Sequence, residues 1–292
     1  MTAAAPALAR GDAGRRSPLA LAALLLLPIA IVNAIGFLLP IINLLKLSFY
    51  QSSETGALVE IFTFNTWLRI ATDTFYIQML VRTTLISLLI TLLTLLVSYP
   101  IAFFIYRSTG ALRSIMVVLV ISPLLTSAVV RTYGWVAILS EQGLVNNLLS
   151  FIGAGPYRLI FNATGIVIGL TEILMPYMIL SLMAGFGRLD HRYEEASLSL
   201  GASPLRTFLT VTLPLTLPGI ALGCLLCFVI AVSAFITPQL LGGGRVFLLA
   251  TEIYHQAIVT LNWPVAAVLS MIVLIVFGAA LALYARALQA LE

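Results

Sequence analysis

Charge is what this sequence has least of. Only 9% of its 292 residues are Asp, Glu, Lys or Arg, and the single lysine, Lys46, stands among leucines. A water-soluble domain carries about a quarter charged residues, so that class is excluded at the outset. The lone lysine excludes more. A phosphate-cradling loop needs a glycine-rich turn followed by Lys and then Ser or Thr, and no such run occurs. Cysteine is nearly absent too: Cys224 and Cys227 fall inside one apolar run, spaced like a redox pair. Small polarizable residues are ordinary in a buried helix, and packing is the reading adopted for them. His191 and His255 fall on opposite sides of the bilayer in the topology derived below, so no zinc site is expected. No serine, cysteine or carboxylate constellation points to catalysis.

What fills the chain instead is hydrocarbon. It is 61% hydrophobic with a mean hydropathy of +1.10, which points to lipid as the solvent. A helix needs about 20 apolar residues to cross a bilayer, because every backbone polar group must be satisfied internally. Six segments qualify, at about residues 18–49, 79–106, 114–139, 163–186, 215–240 and 264–288. The expected fold is all-α, a polytopic membrane protein with six transmembrane helices in one domain, 18–292, behind a tail at 1–17. Arg15 and Arg16 ahead of the first apolar stretch resemble the start of a signal peptide. That stretch is too long for a signal core and has no small-x-small cleavage site, so it reads as an uncleaved first span.

Arginines orient the spans. Arg10, Arg15, Arg16, Arg107, Arg113, Arg188, Arg192, Arg206 and Arg286 all fall on one side when the spans alternate. The other side holds Arg69, Arg158 and Arg245, together with Glu54, Glu60, Asp73, Glu141 and Glu252. The arginine-rich side is expected to be cytoplasmic, with both termini there. Residues 241–263 are only partly apolar and predict a short interfacial or re-entrant helix.

The fourth and fifth spans are joined by a polar cytoplasmic segment, 188–214, and long connections in compact proteins are usually functional. Its chemistry predicts two short helices around a turn. Asp190 is placed to cap the first, with Glu194 and Glu195 near its N-terminus. Gly201 can take the left-handed conformation that ends it. Ser203 caps the second, with Pro204 at its first position, and Leu205, Phe208 and Leu209 form its apolar face. A solvated loop with an interfacial amphipathic helix is the plainer alternative.

At these residues the sequence resembles a known family. Glu195-Ala196-Ser197, then Gly201, then Val211-Thr212-Leu213-Pro214 keep every spacing of the signature of permease subunits of bacterial ATP-binding-cassette importers. Ser197 and Val211 depart from it by size-compatible changes. Arg131-Thr-Tyr-Gly-Trp135, Pro214-Leu-Thr-Leu-Pro-Gly219, Tyr99-Pro100 and the run from Phe235 to Gly243 extend the likeness, toward the spermidine/putrescine type. The resemblance implies a type I importer permease fold in the bacterial inner membrane. The 188–214 loop would be the coupling element, with Glu194, Glu195, Ala196, Gly201, Ala202 and Arg206 meeting an ATPase. It implies a second related permease, two ATPase subunits that bind ATP and magnesium, and a periplasmic solute-binding protein, with no cofactor in this chain and no nucleic acid. Related permeases serve opines, aminoalkylphosphonates and iron complexes, so the solute stays open.

Ionisable groups at bilayer depth are costly and mark functional positions. Glu172 and Arg131 are two such groups. Either they pair across a helix interface, or Glu172 faces a path where a carboxylate attracts an ammonium, with Tyr133, Trp135 and Tyr177 adding ring faces. Gln239 near the outer mouth is a further path residue. A stand-alone secondary transporter is the alternative class, and it predicts inverted repeats that the sequence does not display. An intramembrane enzyme or scaffold is a third, and both leave the polar loop unexplained.

Overall fold

The computed structural model describes residues 18–52, 58–59 and 61–289. The tail at 1–17 with Arg10, Arg15 and Arg16, and also Glu54 and Glu60, lie outside the described residues. Helix α1 (Pro18–Leu47) leads through a two-residue ribbon, Gln51–Ser52 against Leu58–Val59, to α2 (Asn65–Thr72) and the long α3 (Thr74–Arg107). Then come α4 (Gly110–Ile121), α5 (Ala128–Leu139), α6 (Leu144–Phe151) and α7 (Ala163–Phe186). The polar loop holds α8 (His191–Ser199) and α9 (Pro204–Thr207). The chain closes with α10 (Leu213–Ser233), α11 (Ile236–Leu241), α12 (Leu249–Tyr254) and α13 (Trp263–Gln289).

A helix in lipid gains little by burying more hydrocarbon, so close fit and polar contacts choose its neighbours. Helix α3 displays both. It starts ahead of its apolar run because the Asp73 carboxylate accepts the Phe75 N–H at 2.9 Å. Thr83, Ser87, Thr91, Thr94 and Ser98 recur at helical spacing and are buried, while Leu85, Leu88, Leu92 and Leu96 point outward. The hydroxyls of Thr83, Thr91 and Thr94 each donate to the carbonyl four residues earlier, whereas the buried Ser98 hydroxyl has no partner among the described residues. Against α3 pack α7 and α10, with Ile90, Leu174, Met178, Leu182 and Phe186 filling the middle. Helices α7 and α10 meet where only glycine fits: a Cβ on Gly219 would stand 2.7 Å from the Gly185 Cα. Cys227 is buried beside Leu174, its S–H directed at that carbonyl, and serves this packing.

Three expectations are corrected. The span read over 215–240 stops at Ser233, where Ala234 is extended and the chain turns into the separate α11. A single helix over 114–139 does not form. Helix α4 ends in a 3₁₀ turn, Ser122–Leu125, the chain extends at Thr126 and Ser127, and the segments Gly110–Leu125 and Ala128–Phe151 meet at 98°. Pro123 has no N–H for the Leu119 carbonyl, which the Ser122 hydroxyl takes at 3.0 Å instead. Six crossings then require this bent pair to count as one, beside five continuous apolar helices. The second short helix of the polar loop is also not separate. From α9 the chain passes through a π-turn, Phe208–Thr212, straight into α10. Pro214 cannot donate to the Thr210 carbonyl and crowds it, and a one-residue widening absorbs the misfit. The stretch 241–263 holds only α12 and a π-turn, His255–Val259, in keeping with its partial polarity.

Candidate functional site

The polar loop is held by its own caps before anything else touches it. Asp190 accepts the Arg192 N–H at 3.0 Å, and Ser203 accepts that of Arg206 at 3.4 Å with Pro204 at the first position of α9. Between them Gly201 sits at φ +83°, with its N–H bonded to the Leu198 carbonyl at 2.9 Å. An L side chain is strained there, which is why glycine ends α8. The hydroxyls of Ser197 and Thr207 meet at 3.0 Å and clamp α8 to α9.

The loop is then fastened to the bundle by one buried acid. Glu194 is 4% exposed; its Oε2 lies 2.7 Å from Arg107 Nη2, and its Oε1 accepts the Thr212 hydroxyl at 2.6 Å. Arg107 closes α3 and Thr212 precedes α10, so a single carboxylate joins α8 to two long helices. His191 adds a third link. Its ring stacks on Tyr106 at 5.0 Å, Tyr106 stacks on Phe186 of α7 at 5.1 Å, and His191 Nδ1 lies 3.8 Å from Glu194 Oε2. Phe208 turns inward between Tyr99 and Phe103, leaving Leu205 and Leu209 outward.

Of the coupling residues read from the sequence, Glu195, Ala196, Gly201 and Arg206 are exposed, Ala202 is half-buried and Glu194 faces inward. Exposed beside them are Tyr193, Leu198, Leu200 and Leu205, with Leu200 at 89%. A polar loop that presents an apolar patch has the character of a protein-contact surface. A cavity of about 410 Å³ opens there, lined by Glu195, Leu198, Pro204 and Phe208 among others. Arg107 and Thr212 escaped the sequence reading. Arg107 served only as a marker of topology, and adjacency alone does not say which of Glu194 and Glu195 turns inward.

Within the bundle, α5 and α7 bring three of the named residues together. Glu172 Oε2 accepts the Trp135 indole N–H at 3.0 Å, and its Oε1 lies 4.0 Å from Arg131 Nη1. At 4.0 Å the contact with Arg131 is charge on charge, too long for a hydrogen bond, and Arg131 Nε and Nη1 are buried with no hydrogen-bond partner. Glu172 keeps 32% of its side chain exposed, against 13% for Arg131. Thr132 and Thr237 share a hydroxyl contact at 3.0 Å that ties α5 to α11. Tyr133 and Tyr177 are exposed and join none of these contacts, and Gln239 lines a separate cavity beside α12.

Helices that leave so much leucine, isoleucine and valine outward over spans of this length need a bilayer around them, and the chain is a multi-pass membrane protein. It belongs to the family of binding-protein-dependent transport system inner membrane components, whose profile matches residues 98–291. The spermidine/putrescine transport system permease protein PotB of Escherichia coli K12 is 33% identical over 269 residues, 90% of this chain and 98% of that one. Its counterpart in Salmonella typhimurium SL1344 is 32% identical over 271 residues, 90% and 94% of the two chains. Among solved structures, a bacterial alginate ABC transporter in complex with an alginate pentasaccharide-bound periplasmic protein has a chain of the same fold. Its TM-score is 0.72 at 18% identity, over 90% of this chain and 92% of that one.

Proposed function

We propose that the chain is one of two permease subunits of an ATP-driven importer for polyamines or closely related amines. The observation that carries this reading is the capped, apolar-faced loop at 188–214, braced to three spans through Glu194 and His191, in a chain similar to polyamine permeases over 90% of its length. Both termini and this loop face the cytoplasm in this reading, which the arginine distribution supports. Two ATPase subunits bind ATP and magnesium and dock on Glu195, Ala196, Gly201, Ala202 and Arg206, with Leu198, Leu200 and Leu205 as apolar anchors. A second, related permease completes the path, and a periplasmic binding protein delivers solute at the far end. Closure of the ATPases moves α8, and the Glu194 brace passes that displacement to α3 and α10. Nucleotide and loaded binding protein bias a two-state equilibrium by contacting its two states differently. Glu172, with Trp135 beside it and Arg131 as internal counter-charge, lines the path.

The test is ATP-dependent uptake of labelled spermidine and putrescine in proteoliposomes holding the four kinds of subunit. Wild type is expected to import both, and Gly201→Asp to assemble normally and lose uptake. Undiminished uptake in the variant would remove the loop as coupling element. Uptake by this chain without any ATPase would establish a secondary transporter instead.

A further inference from the structure

At the end of α10 opposite the loop, one carboxylate has no counter-charge. Glu252 on α12 is 4% exposed, yet none of the ion pairs among the described residues includes it. Its one side-chain hydrogen bond among those residues comes from Gln256 Nε2, at 2.7 Å to Oε1. The Thr260 hydroxyl donates to Gln256 Oε1 at 3.1 Å, which turns the amide so that its donor faces the acid. Oε2 is left over, and the side chain lines a cavity of about 120 Å³ with Gln239, Phe247, Tyr254 and His255. Phe235 packs on Tyr254 at a ring separation of 4.5 Å and steadies that wall. His255 lines the same cavity and is exposed, and it forms no ion pair with Glu252.

A buried carboxylate with a single neutral partner is expensive until a cation completes it. Phe247, Tyr254 and Gln239 line the same cavity, and aromatic rings and amide oxygens are further ligands an ammonium takes. The cavity accommodates one aminoalkyl end rather than a whole linear polyamine. Glu172 already has Arg131 beside it, so of the two acids Glu252 is the one with a vacancy for a positive charge.

We infer that Glu252, with Gln239 and Tyr254 at the rim, forms a subsite for a single primary ammonium group at the outer end of the bundle. It shares no residue with the Arg131–Glu172–Trp135 group. The inference rests on the amine-importer reading for its ligand, while its test is separate from transport.

The test is equilibrium binding of labelled putrescine to the complex of both permeases and the ATPases in lipid nanodiscs, without binding protein. Wild type binds, Glu252→Gln weakens binding about tenfold, and Glu252→Asp stays within threefold because the charge is kept. Absence of putrescine binding by wild type, or equal binding by wild type and Glu252→Gln, overturns the subsite. So does equal weakening by Asp and Gln, which would mean a packing role. If Glu252→Gln does not assemble, Gln239→Ala at the exposed rim should weaken binding about threefold, and no change there overturns the subsite equally. Uptake in proteoliposomes judges the importer reading separately: binding without uptake sinks that reading and leaves the subsite standing.

Discussion

Glu194 and Arg107 form an ion pair at 2.7 Å between the first helix of the 188–214 loop and the last residue of a 34-residue helix. The acid is buried and the guanidinium is half exposed, so the pair is partly shielded from water and salt. With the Thr212 hydroxyl on its other oxygen, Glu194 leaves the loop little freedom to move without α3 and α10. A surface helix that only touched the bundle would absorb a push, whereas the proposed coupling role needs a fastening of this kind.

Arg107→Ala should therefore uncouple. It strands a buried carboxylate with one hydroxyl partner, at a cost of about 1–2 kcal/mol, below that of a fully buried pair because Arg107 is half in water. Glu194→Gln keeps the Thr212 contact and should cost less. Melting of the detergent-solubilised complex and ATP-dependent uptake are the measurements. Both variants should hydrolyse ATP with diminished uptake, and wild-type uptake in Arg107→Ala would refute the brace.

Gly201 tests backbone rather than contact. No atom of this chain lies within 4 Å of where its Cβ would stand, so any loss of the chain's own stability comes from φ +83°. Gly201→Ala should cost about 1 kcal/mol, and Gly201→Asn less, since asparagine tolerates that region. Uptake should fall in the order Gly, Asn, Ala. An alanine variant as active as wild type would mean that the turn is not required.

Two glycines on α10 should behave differently. A Cβ at Gly219 meets the Gly185 backbone at 2.7 Å, whereas one at Gly223 meets the sulfur of Met178, a flexible side chain, at 2.5 Å. Gly219→Ala should destabilise by about 2–3 kcal/mol, and Gly223→Ala by less than half of that. Thermal melting decides, and equal losses would argue against the close α7–α10 approach.

The Arg131–Glu172 contact is open to a double-mutant cycle. Residues in contact couple by about 0.5–3 kcal/mol, so Glu172→Gln and Arg131→Gln should each destabilise, and the double variant by less than their sum. Strict additivity would dissolve the pair. Putrescine uptake by Glu172→Gln reports separately on the path.

Much of this could be read from the residues. Asp190, Gly201, Ser203 and Pro204 do what their local chemistry dictates, because caps and left-handed turns depend on a few neighbouring atoms. The helix at 163–186 follows from hydrocarbon length, whereas the one read at 215–240 ends at Ser233. The third span did not follow from it, because hydropathy cannot sense a break at Pro123 inside an apolar run. At Glu172 the sequence left pairing and path open, and only the packing of α5 on α7 brings Arg131 to 4.0 Å and Trp135 to 3.0 Å of it. Glu252 drew no notice as a binding group, since a carboxylate near a span end reads as an ordinary topological charge.

Composition and spacing thus determined that the chain lives in lipid, which segments are apolar enough to cross, and which residues cap the polar loop. These are properties of single segments, governed by bilayer thickness, helix periodicity and caps. Tertiary structure decided which acids are paired: Glu194 with Arg107, Glu172 with Arg131, Glu252 with no cation among the described residues. Counter-charges arrive from helices 41 to 87 residues away in the chain, and no local rule reaches across that separation.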